Sequence, residues 1–277
     1  MCQKEARNRH SEWRRNNATA CESTATSSPR SRLPYNVPVP TPPARFTPET
    51  LRFLRGLKRN NRREWFEERR SVYEQSVKLP MLALIEQLNH GMLDYAPNHV
   101  RPAPKSLFRI YRDTRFSADK KPYKTHQGAW WAHSALVKTS GGGYYLHVSD
   151  TELVVAAGVY MPEKDQLLAI RRHLLERHDE WKRLITSRAL LRAFAVHDPM
   201  ALSRPPKGFP PDHPAIEWIK WRQWGVTAHL PAEEALRPDL LRQVEKRFRL
   251  AAPLVDFLNA PLTRSEPRRS VKLNALF

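Results

Sequence analysis

The stretch "YYLHVSDTELVVAAGVY", residues 144–160, decides the fold. Its two halves, "YYLHV" and "ELVVAAGVY", are rich in β-branched and aromatic residues, which favour an extended chain. Ser149, Asp150 and Thr151 lie between the halves, and residues of these types are common in tight turns. The stretch therefore predicts two neighbouring antiparallel strands joined by a short turn.

The sequence on either side of this hairpin adds further strands. Upstream, "LFRIY", residues 107–111, alternates apolar and polar side chains, and "AWWAHSALV", residues 129–137, is rich in aromatic and β-favouring residues. Downstream, "VTAHL", residues 226–230, is a candidate for one more strand. Because short connections join most of these runs, we expect an antiparallel sheet of about four to five strands.

Two helices are predicted before the strand region. The first, "FTPETLRFLRGLKRNN" at residues 46–61, opens with a Thr-Pro pair typical of a helix start and repeats leucine at helical spacing. We predict that Asn61 is the N-cap of the second helix, with Glu64 completing a capping box. Trp65 and Phe66 follow this cap, and we expect both side chains to pack the second helix onto the sheet.

Helical patterns return after the strands. They cover "KDQLLAIRRHLLERHDEWKRLI" at residues 164–185 and a long amphipathic segment at residues 239–259. Between them, "PAIEWIKWRQWG", residues 214–225, predicts a short helix opened by its proline and ended by its glycine. Helices, then strands, then helices indicate an α+β fold, with N-terminal and C-terminal helices packed on an antiparallel sheet.

The composition changes at both ends of this chain of 277 residues. Residues 1–44 are rich in Ser, Thr, Pro and Arg without an apolar period, so we expect a disordered N-terminal extension. Residues 45–262 are long enough for a single α+β domain, and residues 263–277 have the composition of a basic tail. Cys2 and Cys21 both lie in the extension, which leaves no cysteine nucleophile or disulfide for the predicted domain.

The formal net charge of +19 is the most unusual global feature of the sequence. A field of this sign attracts anions, so nucleic acid, phosphorylated metabolites and acidic membranes are the natural classes of partner. The chain has no apolar run of about 18 residues and no secretory signal. These absences favour a cytoplasmic protein without a membrane partner.

The densest positive cluster is "RIYRDTRFSADKKPYK", residues 109–124, where six cations stand against two acids. Arg offers a planar fork for carboxylate or phosphate, Lys a mobile charge and Tyr a hydroxyl donor. Such a set is suited to an oxygen-rich anion, for example a phosphorylated small molecule. The candidate ligand-binding residues are Arg109, Arg112, Asp113, Arg115, Asp119, Lys120, Tyr123 and Lys124.

Two other interpretations of this segment stay open. The aspartates could pair with the arginines and fix a long loop against the sheet, with the remaining lysines solvated. "DKK", residues 119–121, has the D-x-K spacing of many nucleases, but its lysines oppose a divalent cation, so we predict no metal site. The glycine run at residues 141–143 lacks the residues of a phosphate-binding loop, and no cofactor is predicted.

The sequence resembles an uncharacterised family of bacteria and fungi, the domain of unknown function number 2461. The run "RDTRFSADKKPYK" carries the resemblance, together with "NNRREWF", "AAGVYMP" and "PPKGFPPDHP". It extends from Phe46 to about Leu258 and implies no activity. The family pattern falls on Asn60, Asn61, Trp65, Phe66, Arg112, Asp113, Arg115, Phe116, Asp119, Lys120, Pro122, Tyr123 and Lys124, and its weaker parts on Gly158, Tyr160, Pro162, Lys207, Gly208, His213 and Pro214.

The sequence leaves three functional hypotheses open. The first is a domain that binds an anionic or phosphate ligand at the cationic segment. The second is a basic protein that associates nonspecifically with nucleic acid, with Trp218, Trp221 and Trp224 either stacking on bases or filling the core. The third is a hydrolase or transferase that uses the cationic segment with Asp113, Asp119 or a histidine as the proton carrier. The candidate histidines are His126, His133 and His147. No catalytic residue or oligomeric state is predicted.

Overall fold

A five-stranded antiparallel sheet forms the middle of the fold in the computed structural model, which describes residues 45–136 and 141–263. The strand order is β1-β2-β3-β5-β4, and every neighbouring pair is antiparallel. The strands are β1 (His126–Ala132), β2 (Gly143–Ser149), β3 (Glu152–Val159), β4 (Ala195–Val196) and β5 (Trp224–Pro231). The expected β2–β3 hairpin is confirmed, with Leu146 opposite Val155. The extension at 1–44 and residues 264–277 of the tail lie outside the described residues.

Ten helices precede, interrupt and follow these strands in the described part of the chain, so the predicted α+β class is confirmed. They are α1 (Pro48–Arg59), α2 (Arg63–Glu68), α3 (Arg70–Tyr73), α4 (Leu79–Tyr95), α5 (Ala103–Ser106), α6 (Lys164–Glu176), α7 (His178–Ile185), α8 (Arg188–Ala193), α9 (Ile216–Ile219) and α10 (Leu240–Thr263). A π-helical stretch, Glu74–Lys78, joins α3 to α4, and two 3-10 helices lie at Pro97–His99 and Ala232–Leu236. Within the described residues, no helix is both long enough and apolar enough to span a membrane.

One face of the sheet packs against the helices. Side chains alternate along each strand, so Trp131 and Tyr144 point to the same face and are fully buried there. Phe248 of α10 packs on both, with ring centroids 5.3 Å from Trp131 and 5.0 Å from Tyr144. The indole N–H of Trp131 donates to Oδ1 of Asn89 on α4 at 2.9 Å, which satisfies the polar atom inside this layer.

The prediction of a strand at 107–111 is wrong, because these residues do not form a continuous strand. Its two ends make isolated bridges, Leu107 with Ala129 and Tyr111 with Tyr123, and the chain bends at Ile110 between them. The first bridge joins the segment to β1, whereas the second joins it to its own downstream chain. No single ladder can therefore run through the segment, although its residues stay close to the edge of the sheet.

The predicted helix at 214–225 is also shorter than expected. Only α9 is helical, and Trp224 and Gly225 instead begin β5. Trp224 is fully buried, and its indole N–H donates to the backbone carbonyl of Trp218 at 3.0 Å. Trp218 and Trp221 are half-buried against the core, as the packing interpretation of the tryptophans expected.

Candidate functional site

The cationic segment folds back on itself beside β1. The backbone N–H of Arg112 donates to the carbonyl of Pro122 at 2.8 Å, and that of Lys124 donates to the carbonyl of Ile110 at 2.8 Å. At the base, the amide nitrogen of Gln127 donates to the carbonyl of Phe108 at 2.7 Å. We call residues 108–124 the signature hairpin.

Asn61 ties the signature hairpin to the N-terminal helices. Its Nδ2 donates to the backbone carbonyl of Tyr123 at 2.9 Å, and its Oδ1 accepts from the backbone N–H of Tyr123 at 3.0 Å. The predicted helix cap at Asn61 is therefore wrong: Arg62 is the N-cap of α2, and it makes no side-chain capping bond. The amide of Asn61 is occupied by the hairpin and is not available to the helix.

Both aspartates of the signature hairpin are paired with arginines. Arg112 Nη1 lies 2.7 Å from Asp119 Oδ2, and Arg115 Nη2 lies 2.8 Å from Asp113 Oδ2. These hydrogen bonds lower the pKa of both carboxyls, which therefore stay ionised. Neither carboxylate lines the cleft described below. The two pairs shape the hairpin tip, and proton transfer by these aspartates has no support in the geometry.

The other predicted site residues divide between the interior and the surface. Tyr123 is only 2% exposed and its ring stacks on Phe66 with centroids 4.2 Å apart, so it belongs to the core. Lys120 Nζ donates to the backbone carbonyl of Thr114 at 3.1 Å. Arg109 and Lys124 remain, and within the described residues neither side chain makes an ion pair with a carboxylate.

Lys124 lies beside an aromatic ring that opens onto the sheet. Its Nζ lies 4.8 Å from the centroid of the Phe108 ring, a cation–π distance. Burial, and then the nearby charge of Arg109, lower the pKa of this half-buried lysine. Burial, and then the charge of Lys124, lower the pKa of His126 at the start of β1. The structure thus brings Arg109 and Lys124 together near one face of the sheet.

That face of the sheet carries a cleft of about 500 Å³. Its floor consists of small residues on β3 and β5. Gly158 and Gly225 are direct partners in the β3–β5 ladder, and Ala156 lies two residues before Gly158. Aromatic side chains form the walls: Phe108, Trp130, Tyr145 and Tyr160, with His197 and His229 beside them. Because the floor residues have small side chains or none and the wall residues have large ones, the face is concave.

Gly158 has a conformation that only glycine adopts easily. Its φ is +137°, and a Cβ at this position would lie 2.2 Å from the backbone carbonyl oxygen of Trp224. The strands therefore approach each other more closely at Gly158 than a side chain would permit. The same absence of a side chain leaves room for the cleft above the ladder.

A carboxylate and histidines meet at one end of the cleft face. Glu152 Oε2 lies 2.7 Å from His229 Nδ1, and Glu152 Oε1 lies 3.5 Å from His147 Nε2. The Tyr145 hydroxyl lies 3.0 Å from His147 Nδ1, and the His126 ring centroid lies 4.6 Å from that of His147. Burial and the neighbouring His126 lower the pKa of His147 to about 4, whereas the hydrogen bond from His229 lowers the pKa of Glu152.

The sequence anticipated only part of this cluster. His126 and His147 were candidates on neighbouring strands, and the structure brings their rings together. His133 lies elsewhere, with its ring 5.2 Å from His99. Glu152 and His229 were missed, because the register of β3 against β5 puts them together and a sequence pattern does not give that register. Among the described residues, no group of His, Cys, Asp and Glu side chains could hold a metal ion.

Taken together, these features define an α+β protein with a five-stranded antiparallel sheet, helices packed on one face and an aromatic cleft on the other. The chain belongs to the DUF2461 family, whose model, described as "Conserved hypothetical protein (DUF2461)", matches residues 49–257. The match confirms the resemblance drawn from the sequence. No curated protein matches the chain. The family description names no activity.

Proposed function

We propose that this protein binds a small anionic ligand with a flat apolar body. The body lies in the cleft against Trp130 and Tyr145, and the anionic group faces Lys124 and Arg109 of the signature hairpin. The observation that carries the proposal is that Lys124, half-buried beside the cleft wall at Phe108, makes no ion pair within the described residues. An anionic ligand would neutralise this charge.

The composition of the cleft supports a flat ligand. Aromatic rings on the walls favour stacking and edge contacts with planar groups, and the glycines of the floor allow a ring to approach the backbone closely. A volume of about 500 Å³ matches a small metabolite and is too small for a folded partner. The polar groups at the ends of the cleft would orient the ligand.

The charge distribution supports an anion at this position and not at the hairpin tip. At the tip, Arg112 and Arg115 already hold carboxylates. The pKa of Lys124 is lowered by burial, which means that its ammonium group is incompletely solvated and gains more from a bound anion than an exposed lysine does.

Two fluorescent probes test the proposal directly. 1-Anilinonaphthalene-8-sulfonate has a flat apolar body and one anionic group, and N-phenyl-1-naphthylamine has the same body without the charge. We expect the sulfonate to bind more tightly than the neutral probe. Lys124→Gln should weaken sulfonate binding about 5-fold to 10-fold, equivalent to about 1 to 1.4 kcal/mol, and leave the neutral probe unaffected.

A matched control separates local from global charge. Lys182→Gln removes one cation from α7, where the side chain is exposed, and should change neither affinity more than 2-fold. If Lys124→Gln and Lys182→Gln lower the affinity for the sulfonate equally, the affinity depends only on the net charge of the protein. If Arg115→Ala lowers the affinity for the sulfonate as much as Lys124→Gln does, the anion lies at the hairpin tip. Equal affinity of the wild type for both probes would refute the proposal.

Nucleic acid association is a second candidate, supported by the tip of the signature hairpin. Phe116 is 95% exposed, and Arg115 lies over its ring at 5.6 Å. Lys120 and Lys121 are exposed on the same tip. An exposed ring among cations suits stacking on an unpaired base together with phosphate contacts.

Salt titration of single-stranded oligonucleotide binding tests this second candidate. We expect Phe116→Ala to weaken binding at every salt concentration, since stacking on one base is worth about 1 to 3 kcal/mol. Replacing Lys120 and Lys121 by Gln should instead reduce the slope of log affinity against log salt. If Phe116→Ala binds like the wild type, the tip is not a stacking surface.

A further inference from the structure

The Glu152–His229 pair leaves one imidazole nitrogen unused at the cleft. His229 Nδ1 lies 2.7 Å from the Glu152 carboxylate, and the side chain of His229 is 61% exposed. His229 also lines the cleft. Within the described residues, no side chain or backbone group bonds its Nε2. The nitrogen is therefore accessible to a molecule bound in the cleft.

The hydrogen bond to Glu152 assigns the tautomer of His229. A carboxylate only accepts, so Nδ1 of His229 carries the proton and donates to Glu152, which leaves a lone pair on Nε2. His147 directs Nε2 at the other Glu152 oxygen and Nδ1 at the Tyr145 hydroxyl. Both nitrogens of His147 are thus occupied, and His126 does not line the cleft. Among the described residues of this cluster, His229 is the histidine that offers a basic nitrogen to a molecule in the cleft.

We infer that His229, oriented by Glu152, is a general base for a flat ligand bound in the cleft. Its Nε2 takes a proton from an acidic O–H or C–H of the ligand, and the electron pair of that bond stays on the ligand. The Glu152 carboxylate stabilises the imidazolium that forms. This inference rests on the proposed function only in requiring that the cleft admits a flat ligand.

Other ionisable groups surround the Glu152–His229 pair. Glu152 on β3, His147 and Tyr145 on β2 and His126 on β1 all lie in the same cluster. Burial and the charge of Glu152 raise the pKa of Tyr145 to about 12, so this hydroxyl stays protonated at neutral pH. Burial lowers the pKa of His126, which favours its neutral form.

5-Nitrobenzisoxazole is a suitable probe, because it is flat and neutral and needs only a base. Nε2 would remove the proton on C3, the C–H electron pair would become the third bond of a nitrile, and the N–O bond would break. The product, 2-cyano-4-nitrophenolate, retains every other atom and is measured by its visible absorbance. Because the probe is neutral, the reaction does not depend on the proposed anion contact at Lys124.

Conservative variants separate a base from a structural residue. His229→Gln keeps a donor for Glu152 but has no base, and we expect a loss of about 100-fold in kcat/KM. Glu152→Gln should lose about 10-fold, and added imidazole should restore part of the rate of His229→Ala. His90→Ala removes an exposed histidine of α4 and serves as the control, with a change below 2-fold.

If His229→Gln matches the wild type, or if imidazole restores nothing to a folded His229→Ala protein, His229 is not a general base. The fluorescent sulfonate is titrated with the same variants. If the wild type binds the sulfonate more tightly than the neutral probe but shows no reaction that depends on His229, this inference alone is rejected. If the reaction depends on His229 but the wild type does not bind the sulfonate more tightly than the neutral probe, the proposed function alone is rejected.

Discussion

At the scale of single residues, one amide side chain fixes the position of the signature hairpin. Asn61 pairs with the backbone N–H and carbonyl of Tyr123, much as a neighbouring strand would. The ring of Tyr123 stacks on Phe66. Tyr123 therefore joins the hairpin to the N-terminal helices through its backbone hydrogen bonds and through its ring. The hairpin therefore has a defined geometry at its base, from which Lys124 projects beside the cleft.

Asn61→Ala should destabilise the protein by about 2 kcal/mol, since each of two hydrogen bonds is worth about 1 kcal/mol. Asn60→Ala is the matched control, because the Asn60 side chain makes one bond, to the carbonyl of Gly56 at 3.1 Å. We expect it to cost about 1 kcal/mol. Urea denaturation measures both, and an Asn61→Ala loss no larger than that of Asn60→Ala would contradict the double contact.

Phe66→Ala should cost more stability than Trp65→Ala. Phe66 is fully buried and stacked on Tyr123, so its truncation should cost about 3 to 5 kcal/mol. Trp65 is half-buried, packs 5.6 Å from Phe53 and has Arg69 over its outer side, which favours a loss of about 2 to 3 kcal/mol. Chemical denaturation decides the order. A loss below about 1 kcal/mol for Trp65→Ala would mean that its ring contributes little to the core.

At the scale of elements, the close approach of β3 and β5 is the feature most sensitive to substitution. Gly158→Ala should destabilise by more than about 3 kcal/mol, because it combines a strained φ with a clash against the Trp224 carbonyl. Gly208→Ala is the control: φ there is +88°, but nothing lies within 4 Å of the added Cβ. We expect about 1 kcal/mol for this control. Similar thermal-melting shifts for the two variants would show that the clash is relieved.

The elements also show what the sequence alone can predict. The hairpin of β2 and β3 followed from local composition, because its strands are adjacent and its turn is short. The segment at 107–111 has an equally clear alternation, yet it bends because its two ends pair with different chain segments. The two-residue strand β4 is too short to have a pattern. The cleft depends on β3 pairing with β5, which is distant in sequence, so only its glycines could have suggested it.

At the scale of the whole molecule, buried histidines should make the fold sensitive to acid. His99 is 1% exposed, and its Nδ1 donates to the Trp131 carbonyl at 3.0 Å. Burial lowers its pKa to about 4, whereas the unfolded chain has a pKa near 6.5. The unfolded state therefore binds the proton first, and stability falls as the pH drops from about 6.5 towards 4. His99 alone should remove about 2 kcal/mol between pH 7.5 and pH 5.

His99→Gln tests this linkage, since the amide can still donate to the Trp131 carbonyl but does not titrate. The variant should be less stable at pH 7.5 and lose less stability on acidification than the wild type does. His90→Gln, at an exposed site on α4, makes the same substitution outside the core and serves as the control. Unfolding free energies at several pH values give the answer, and equal slopes for His99→Gln and the wild type would assign the acid sensitivity to other groups.

The position of β5 in the chain has a consequence for synthesis and refolding. Residues 160–223 lie between β3 and its partner β5, so β1, β2 and β3 leave the ribosome long before β5 exists. During that interval the edge of β3, rich in valine and leucine, presents unpaired backbone groups to other chains. Closing the long connection is slow compared with forming a local hairpin. The yield of refolded protein should therefore depend on concentration, with aggregation starting from the unprotected edge of β3.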